Sequence, residues 1–402
     1  MSLFTSKNIL LGVTGSIAAY KAAHLASQLT QAGALVDVVL TAGAERFVTP
    51  LTFQSVTGRK AYNDTDLWGG EAHVLHVGLG VGTDLVVIAP CTANTIAKLA
   101  HGIADNLLTI TALAARCPML VAPAMDAGMY ENVAMQSNVR LLTERGVTFA
   151  GPAEGRMASG LVGLGRFVEP SELFGHIRIL MGRSGRLAGM KVVVTAGGTQ
   201  EAIDPVRVIT NKSSGKQGYA LAQAAIDAGG TVVLISTPTG LVPPVGARIV
   251  PVVSAEEMKD AVLKESADAD ALIMAAAVAD FRPKKIEGNK IKKQDGIPQI
   301  ELEAAPDILS IVAGLRSGRP RRVVGFAAES RDLIQNAEAK LESKKLDMII
   351  ANDISAADAG FAVDTNRVTL LFADGRKQSL PLMGKDEVAE TVIEQLAKLL
   401  ES

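Results

Sequence analysis

Several features that would settle the class of this chain at once are scarce or missing. It has two cysteines, Cys91 and Cys117, in 402 residues, too few for a disulfide framework or a thiolate zinc cage. Aromatic residues make up 4% and Trp68 is the sole tryptophan, which removes the stacking platform that single-stranded nucleic acid needs. A formal net charge of −2 supplies no positive field for a polyanionic partner. The longest apolar run, ALIMAAAVA at 271–279, is about half a membrane span. MSLFTSKNILL has one lysine and no small-residue cleavage site, so no signal peptide is expected. These absences point to a cytoplasmic protein that acts on small molecules.

What is present is ample core. Hydrophobic residues make up 48% and charged residues 20%, and a chain of this length more often builds two cores than one. Apolar strands at 8–13, 35–40, 85–89 and 118–122 alternate with helical stretches near 16–32, 93–114 and 133–145. The scheme starts again with strands at 191–195, 231–235, 271–274, 322–326 and 346–351 and helices near 217–228, 254–264, 330–343 and 384–401. Nearly all-apolar strands between helices predict parallel sheets covered on both faces. The expected fold is α/β: two doubly wound parallel-sheet domains, flavodoxin-like then Rossmann-like, over 1–181 and 190–402. SELFGHIRILMGRSGRLAGM runs into Gly, Ser and Arg, so a linker is placed at 182–189.

Ligands of such folds sit at the carboxyl ends of the strands, and the loops there carry the chemistry. GVTGSIAAYKAA sets Gly12 and Gly15 at a strand-to-helix turn, with Ser16 placed to cap the helix. Its spacing is not the dinucleotide G-x-G-x-x-G, and the second strand holds Asp37 inside it with no ribose-binding acid just after. A nicotinamide dehydrogenase is thereby disfavoured. LTAGAERFV, IAPCTANTIAKLAHGIADNLLT and APAMDAGMYEN end successive strands and address the same crevice.

The second half is more distinctive. TAGGTQEAIDPVRVITNKSSGKQGYALAQAA leaves its strand at Gly197 and Gly198, and Ser213, Ser214, Gly215 and Gly218 are placed to offer N–H groups to an anion at a helix N-terminus. Walker A spacing is absent. AAAVADFRPKKIEGNKIKK packs six basic residues into 282–293 against Glu287 alone, charge that a triphosphate at the crevice edge would require.

GSIAAYK, TANTIAK, GIADNL and PAM-x-x-x-M resemble the flavin-binding cysteine decarboxylases, and nearly the whole chain resembles the bifunctional coenzyme A enzymes. Those enzymes join phosphopantothenoylcysteine decarboxylase to phosphopantothenate–cysteine ligase. For the first half the resemblance implies FMN, held by Gly15, Ser16, Ile17, Thr41, Thr92, Asn94, Thr95, Asp105 and Asn106. It makes His76, in VLHVGLG, the acid/base group, as suits an imidazole. His73 and His101 are expected to be structural. Two positions depart from the family. Asp126 stands where many relatives carry an Asn that contacts the substrate carboxylate. Ser159 stands where they carry a Cys that protonates the intermediate. A serine hydroxyl is a far weaker acid than a thiol, so Asp126 or water becomes the alternative donor. Gly160, Gly163 and Gly165 around Ser159 suggest a mobile flap. Cys91, expected in a flavin loop, is not assigned the role. The departures also allow an active ligase fused to a flavin domain of weakened or regulatory function.

For the second half the resemblance implies CTP as co-substrate with Mg²⁺. Asn211 would hold an acyl-cytidylate and Lys290 the phosphoryl group under attack. Ala275, Ala276, Ala277, Asp280, Pro306, Asp307, Ile308, Leu309, Phe326, Lys340 and Lys344 would form the nucleotide pocket, with Asp280 also facing the metal. The substrates would be 4'-phosphopantothenate, cysteine and CTP. The assembly would be a homo-oligomer of flavin-domain trimers and ligase-domain dimers, with no nucleic-acid or membrane partner.

Overall fold

A computed structural model describes residues 3–68, 74–293, 296–329, 332–353 and 364–401. His73 lies outside them. The chain divides into two compact units, Met1–Met181 and Gly182–Ser402.

The first unit runs β1 (Asn8–Val13), α1 (Ala19–Gln31), β2 (Leu35–Leu40), α2 (Pro50–Thr57), β3 (Ala61–Tyr62), α3 (Leu75–Val81), β4 (Leu85–Cys91), α4 (Ala93–His101), α5 (Leu107–Ala114), β5 (Met119–Pro123), α6 (Ala127–Glu131), α7 (Val133–Glu144), β6 (Thr148–Phe149), β7 (Ala153–Arg156), β8 (Val162–Arg166) and α8 (Pro170–Gly182). Its sheet has the order β3-β2-β1-β4-β5-β6, all parallel. Every residue of β4 is buried, because helices cover both faces. On α1 the buried set Ala19, Ala22, Leu25, Ala26 and Leu29 recurs at helical spacing and forms one stripe. Each large side chain so buried stabilises by about 1.5–3 kcal/mol. The winding reverses between β1 and β4, which opens a crevice at their carboxyl ends.

The helix expected over 93–114 is two helices. Gly102, at φ +67°, ends α4 in the left-handed region, and Asn106 starts α5 with a capping box shared with Thr109. Cys91 is the buried last residue of β4 rather than a loop residue, and burial pushes its thiol far up.

The second unit runs β9 (Lys191–Ala196), β10 (Gln200–Asp204), β11 (Arg207–Thr210), α9 (Lys216–Asp227), β12 (Thr231–Ser236), β13 (Arg248–Pro251), α10 (Ala255–Ser266), β14 (Ala271–Met274), β15 (Phe281–Pro283), β16 (Leu302–Ala304), α11 (Ile308–Gly314), β17 (Arg322–Glu329), α12 (Leu333–Ser343), β18 (Met348–Asp353), β19 (Thr365–Asn366), β20 (Val368–Phe372), β21 (Lys377–Ser379), β22 (Met383–Gly384) and α13 (Lys385–Glu401). Its main sheet is β13-β12-β9-β14-β17-β18-β20-β21. The first six strands are parallel and reverse winding between β9 and β14. The sheet is not wholly parallel: β20 and β21 add antiparallel at one edge, the two joined by the tight turn at 373–376.

The stretch expected as a linker is packed on this unit. A Cβ on Gly182 would lie 2.4 Å from the Asp227 carbonyl oxygen, one on Gly185 2.4 Å from that of Ala228, and Leu187 is fully buried.

Candidate functional sites

In the first unit Thr14 ties the two strands that flank the crevice. Its hydroxyl donates to the Pro90 carbonyl at 2.8 Å and accepts the Thr92 N–H at 3.0 Å. The next residue, Gly15, meets the loop after β2: a Cβ there would stand 3.0 Å from the Gly43 Cα, so the two glycines let backbone lie on backbone. Ser16 does not cap α1. The helix begins at Ala19, with Ala18 as N-cap, and the Ser16 hydroxyl accepts the Ala18 N–H at 3.3 Å. Among the described residues the N–H groups of Gly15 and Ile17 take no partner. Thr41 donates its N–H to the Val13 carbonyl at 3.1 Å.

Thr92 caps α4 and lies 3.2 Å, oxygen to oxygen, from the buried Thr95, while Asn94 is exposed between them. Asp105 pairs with Lys98 at 2.8 Å, and the Asn106 carboxamide is engaged in capping α5 through Thr109 N–H at 2.9 Å. Thr14, the residue that joins the loops, carries no motif signal. Its part follows only once β1 and β4 are neighbours.

The structure brings Asp126 and Ser159 together. Asp126 Oδ1 accepts the Gly128 N–H at 3.1 Å, and its Oδ2 accepts the Ser159 hydroxyl at 2.7 Å. Ser159 is exposed at the tip of the β7–β8 hairpin. The glycines nearby serve close approach. A Cβ on Gly165 would stand 2.4 Å from the Met125 carbonyl oxygen and one on Gly163 2.8 Å from the Ala127 Cβ. The Met125 N–H donates to the Gly165 carbonyl at 3.1 Å. His76 is half-buried on the first turn of α3. That helix feeds β4, so its start lies toward the carboxyl edge of the sheet. No hydrogen bond joins it to Asp126 or Ser159. His101 meets the Asn138 side chain at 3.1 Å.

The second unit holds a cavity of about 750 Å³ at the carboxyl ends of its strands. Its wall includes Asn211, Ser213, Ser214, Gly215, Gly218, Ala275, Ala276, Ala277, Asp280, Pro306, Asp307, Ile308, Leu309, Phe326, Lys340 and Lys344. Asn211 Nδ2 donates to the carbonyls of Ala277 and Val278, both at 3.2 Å, which fixes its carboxamide across the β14 end. Gly197, at φ +86°, makes the turn after β9. Gly218 lets α9 lie against β9: a Cβ would stand 2.6 Å from the Ala196 Cβ. Asp307 caps α11 through Ser310 N–H at 3.0 Å and pairs with Lys344. Burial pushes its carboxyl up, but the Lys344 hydrogen bond and the Ser310 donors outweigh this and hold it below the usual carboxylate range.

The basic stretch 282–293 is not part of this wall. Arg282 pairs with Glu303 and Glu256, Lys284 with Glu301 and Lys285 with Glu287. The loop is tied to the β10–β11 hairpin, since Glu287 N–H donates to the Ile203 carbonyl and Ile291 N–H to Asp204. Lys290 is exposed on it and lies outside the cavity lining. The positive charge on the wall comes instead from Lys212, Lys216, Lys340, Lys344 and Lys385. Burial pushes the Lys385 ammonium down, the neighbouring Lys216 adds to this, and Asp364 opposes it. Lys212 and Lys216 were missed, although they stand inside NKSSGK, of which only the serines and glycines were read as facing an anion. Lys385, Asn352 and Asn366, also on the wall, have no local signal.

Two α/β units, one with polar loops gathered at a flavodoxin-like crevice and one with a lysine-rich cavity, define a fused two-site enzyme. A flavoprotein family model matches residues 3–181, and the DNA/pantothenate metabolism flavoprotein C-terminal domain matches 187–400. Coenzyme A biosynthesis bifunctional protein CoaBC of Bacillus subtilis is 46% identical over 400 residues, covering 99% of this chain and 98% of that one. The Vibrio cholerae protein of that name is 45% identical over 98% of each chain. That of Mycobacterium tuberculosis is 43% identical over 98% of this chain and 97% of its own. The chain belongs to this family of bifunctional coenzyme A biosynthesis enzymes, which carry a decarboxylase and a ligase domain.

Proposed function

We propose that residues 190–402 ligate cysteine to 4'-phosphopantothenate at the expense of CTP, and that residues 1–181 decarboxylate the product with FMN. The segment 182–189 joins the two. The observation that carries the ligase assignment is the single cavity lined by Asn211, Ala275–Ala277, Asp280, Pro306–Leu309, Phe326, Lys340 and Lys344.

A carboxylate is a poor acylating agent. Its oxygen therefore attacks the α-phosphorus of CTP, pyrophosphate leaves, and the acyl-cytidylate forms. The cysteine amine then attacks the acyl carbon and CMP leaves. Asn211, braced by the Ala277 and Val278 carbonyls, holds the acyl-cytidylate. Lys212, Lys340 and Lys344 on the wall offset the phosphate charge. Lys290 is assigned to the phosphoryl group under attack, which it can reach only if its loop folds over the cavity. Asp280 is an exposed carboxylate on the wall. This suits Mg²⁺, which takes one or two carboxylates and completes its shell with phosphates and water. Among the described residues no cluster of three or more metal-ligating side chains offers another home for it.

The first unit fits a flavin: Thr14 clamps the β1 and β4 loops together, Gly15 touches Gly43, and the N–H groups of Gly15 and Ile17 are open to an anion. Bound FMN supplies a place for the electron pair of the substrate thiol. Gly15, Ser16, Ile17, Thr41, Thr92, Asn94 and Thr95 hold it, with Asp105 and Asn106 bordering the site. His76 moves protons at the substrate. Ser159 donates a hydrogen bond to Asp126; for the serine to protonate an intermediate, its hydroxyl proton passes to the intermediate while a protonated Asp126 carboxyl gives its own proton to Ser159 Oγ. The two therefore act as one relay.

Outward apolar side chains support the oligomer. Val77 and Val81 on α3 and Leu113 on α5 are exposed, as a trimer contact of the flavin domain needs. Val208, Phe281 and Leu302 are exposed on two adjacent hairpins of the ligase domain, as a dimer contact needs. A cytoplasmic location accords with a described structure in which no helix is long and apolar enough to cross a membrane.

The test is product analysis with phosphopantothenate, cysteine and CTP. Pyrophosphate, CMP and carbon dioxide should all appear, with CTP strongly preferred to ATP. Nucleoside diphosphate as product, or equal use of ATP, would overturn the ligase assignment. Ligation without carbon dioxide would overturn the flavin half.

A further inference from the structure

We propose that the corner of the ligase cavity formed by Asn352, Asn366, Lys385 and the first turn of α9 is the subsite for the incoming amino acid, held as its zwitterion. This rests on the ligase reading above. Asn352 and Asn366 are 8% and 3% exposed, and the Oδ1 atom of each is buried without a hydrogen-bond partner. Both residues line the cavity. A buried acceptor left unmade is costly, so native structures rarely keep one without a use.

The corner is rigidly built. Asn366 Nδ2 donates to Gln217 Oε1 at 2.9 Å, and Gln217 Nε2 donates to the Lys385 carbonyl at 3.2 Å. Asn352 pairs with Val368 across β18 and β20, two residues along from Asn366. The α9 and α13 helices, of 12 and 17 residues, open into the cavity at Lys216 and Lys385. Lys216 is paired with Asp364, and the two helix N-termini with the Lys385 ammonium favour an anion. The occupant must therefore bring an anionic group and N–H donors within a few ångströms of each other.

An α-amino acid does this. Its carboxylate faces Lys385 and the helix N-termini, and its amino group faces the two Asn oxygens. Cysteine is the amino acid that the ligation requires. Its amine, having lost one proton to solvent, attacks the acyl carbon. The C–N bond forms, and the acyl C–O bond to CMP breaks with its electron pair passing to the CMP oxygen. The second amine proton leaves to solvent. A ribose phosphate also combines donors with an anion and is the rival occupant. The nucleotide, however, already has its wall at Ala275–Ala277, Pro306–Leu309 and Phe326.

The experiment uses the full-length chain and the variants Lys385→Met and Asn352→Leu. Pyrophosphate release from CTP and phosphopantothenate without cysteine should persist in both, which also shows that the variants are folded. The KM for cysteine should rise roughly 10–100-fold, the effect of losing a hydrogen bond to a charged group. Cysteamine, which lacks the carboxylate, should be a poor nucleophile for the wild type. Lys385→Met should lose that discrimination. A raised KM for CTP with an unchanged KM for cysteine would assign the corner to the nucleotide and overturn the proposal, as would a wild type indifferent to the carboxylate. Absence of pyrophosphate release by the wild type would instead sink the ligase reading itself. Normal release with unchanged cysteine kinetics in both variants sinks the subsite alone.

Discussion

Gly218→Ala sets two physical effects against each other, and the distances decide between them. Alanine is the better helix former by up to about 1 kcal/mol, so propensity alone has the substitution stabilise α9. The new Cβ, however, would stand 2.6 Å from the Ala196 Cβ, 2.8 Å from the Thr195 carbonyl oxygen and 3.0 Å from the Ala196 Cα. All three are main chain or Cβ of β9 and cannot swing aside. Ordinary carbon contacts are about 3.5–4.0 Å, so α9 must lift by roughly 1 Å, at an overpacking cost of about 1–3 kcal/mol. The expected net effect is a loss of up to about 2 kcal/mol. Because Gly215, Lys216 and Gln217 lie on the cavity wall at the corner assigned to the amino acid, the KM for cysteine should rise as well. The bonds of the Tyr219 hydroxyl with Ser236 and Thr239, both 3.1 Å, oppose the lift and localise it to the first turn. Hydrogen exchange of the α9 amides and steady-state ligation read the two consequences separately. Slower α9 exchange with unchanged kinetics would mean that propensity wins and that the glycine is not there for close packing.

Other expectations are narrower. His76→Asn should lower decarboxylation by about 10²–10⁴-fold while flavin absorbance and ligation persist; loss of flavin would make His76 a cofactor-holding residue. Ser159→Ala and Asp126→Asn should each slow the proton-donating half of decarboxylation. Being hydrogen-bonded partners, they should be non-additive in the double variant, and simple additivity would remove the relay. The Asp307 carboxyl is held low by Lys344 and Ser310, so its ionised form stabilises the native state above the unfolded aspartate value of about 3.9. That stability is lost as pH falls through the lower folded value. The stability difference between wild type and Asp307→Asn should hence be constant above about pH 5 and vanish in stronger acid; a difference that persists unchanged there would contradict the pairing.

Strand positions were legible because burial on both faces writes itself as an apolar run, as in LVVIAPC. The break between α4 and α5 was missed because the stretch is continuously helix-compatible, and only Gly102 with the Asn106–Thr109 box interrupts it. The antiparallel edge of the second sheet was missed: no strand was expected at 368–372, and nothing in VTLLF marks an antiparallel partner. Charge misled for a related reason. Its density along 282–293 is local, whereas its neutralisation comes from Glu303 on β16, Glu301 just before it and Glu256 on α10. Lys385 and Asn366 reach the cavity only through sheet order and the seating of α13, which no window of neighbours encodes.

Asp126 and Ser159 carry the same lesson into function. Read one at a time, each is a departure from the residue that the resemblance implies. They are 33 positions apart, and what joins them is the pair Gly163 and Gly165, whose missing Cβ atoms let the β7–β8 hairpin lie on Met125–Ala127. A hydroxyl that donates to a carboxylate is an arrangement that neither Asn with Ser nor Asp with Cys reproduces, since an amide oxygen accepts more weakly and a thiol is the poorer donor. The two positions are therefore one chemical unit, and substituting either alone by the residue the resemblance implies weakens the bond without rebuilding what it replaced.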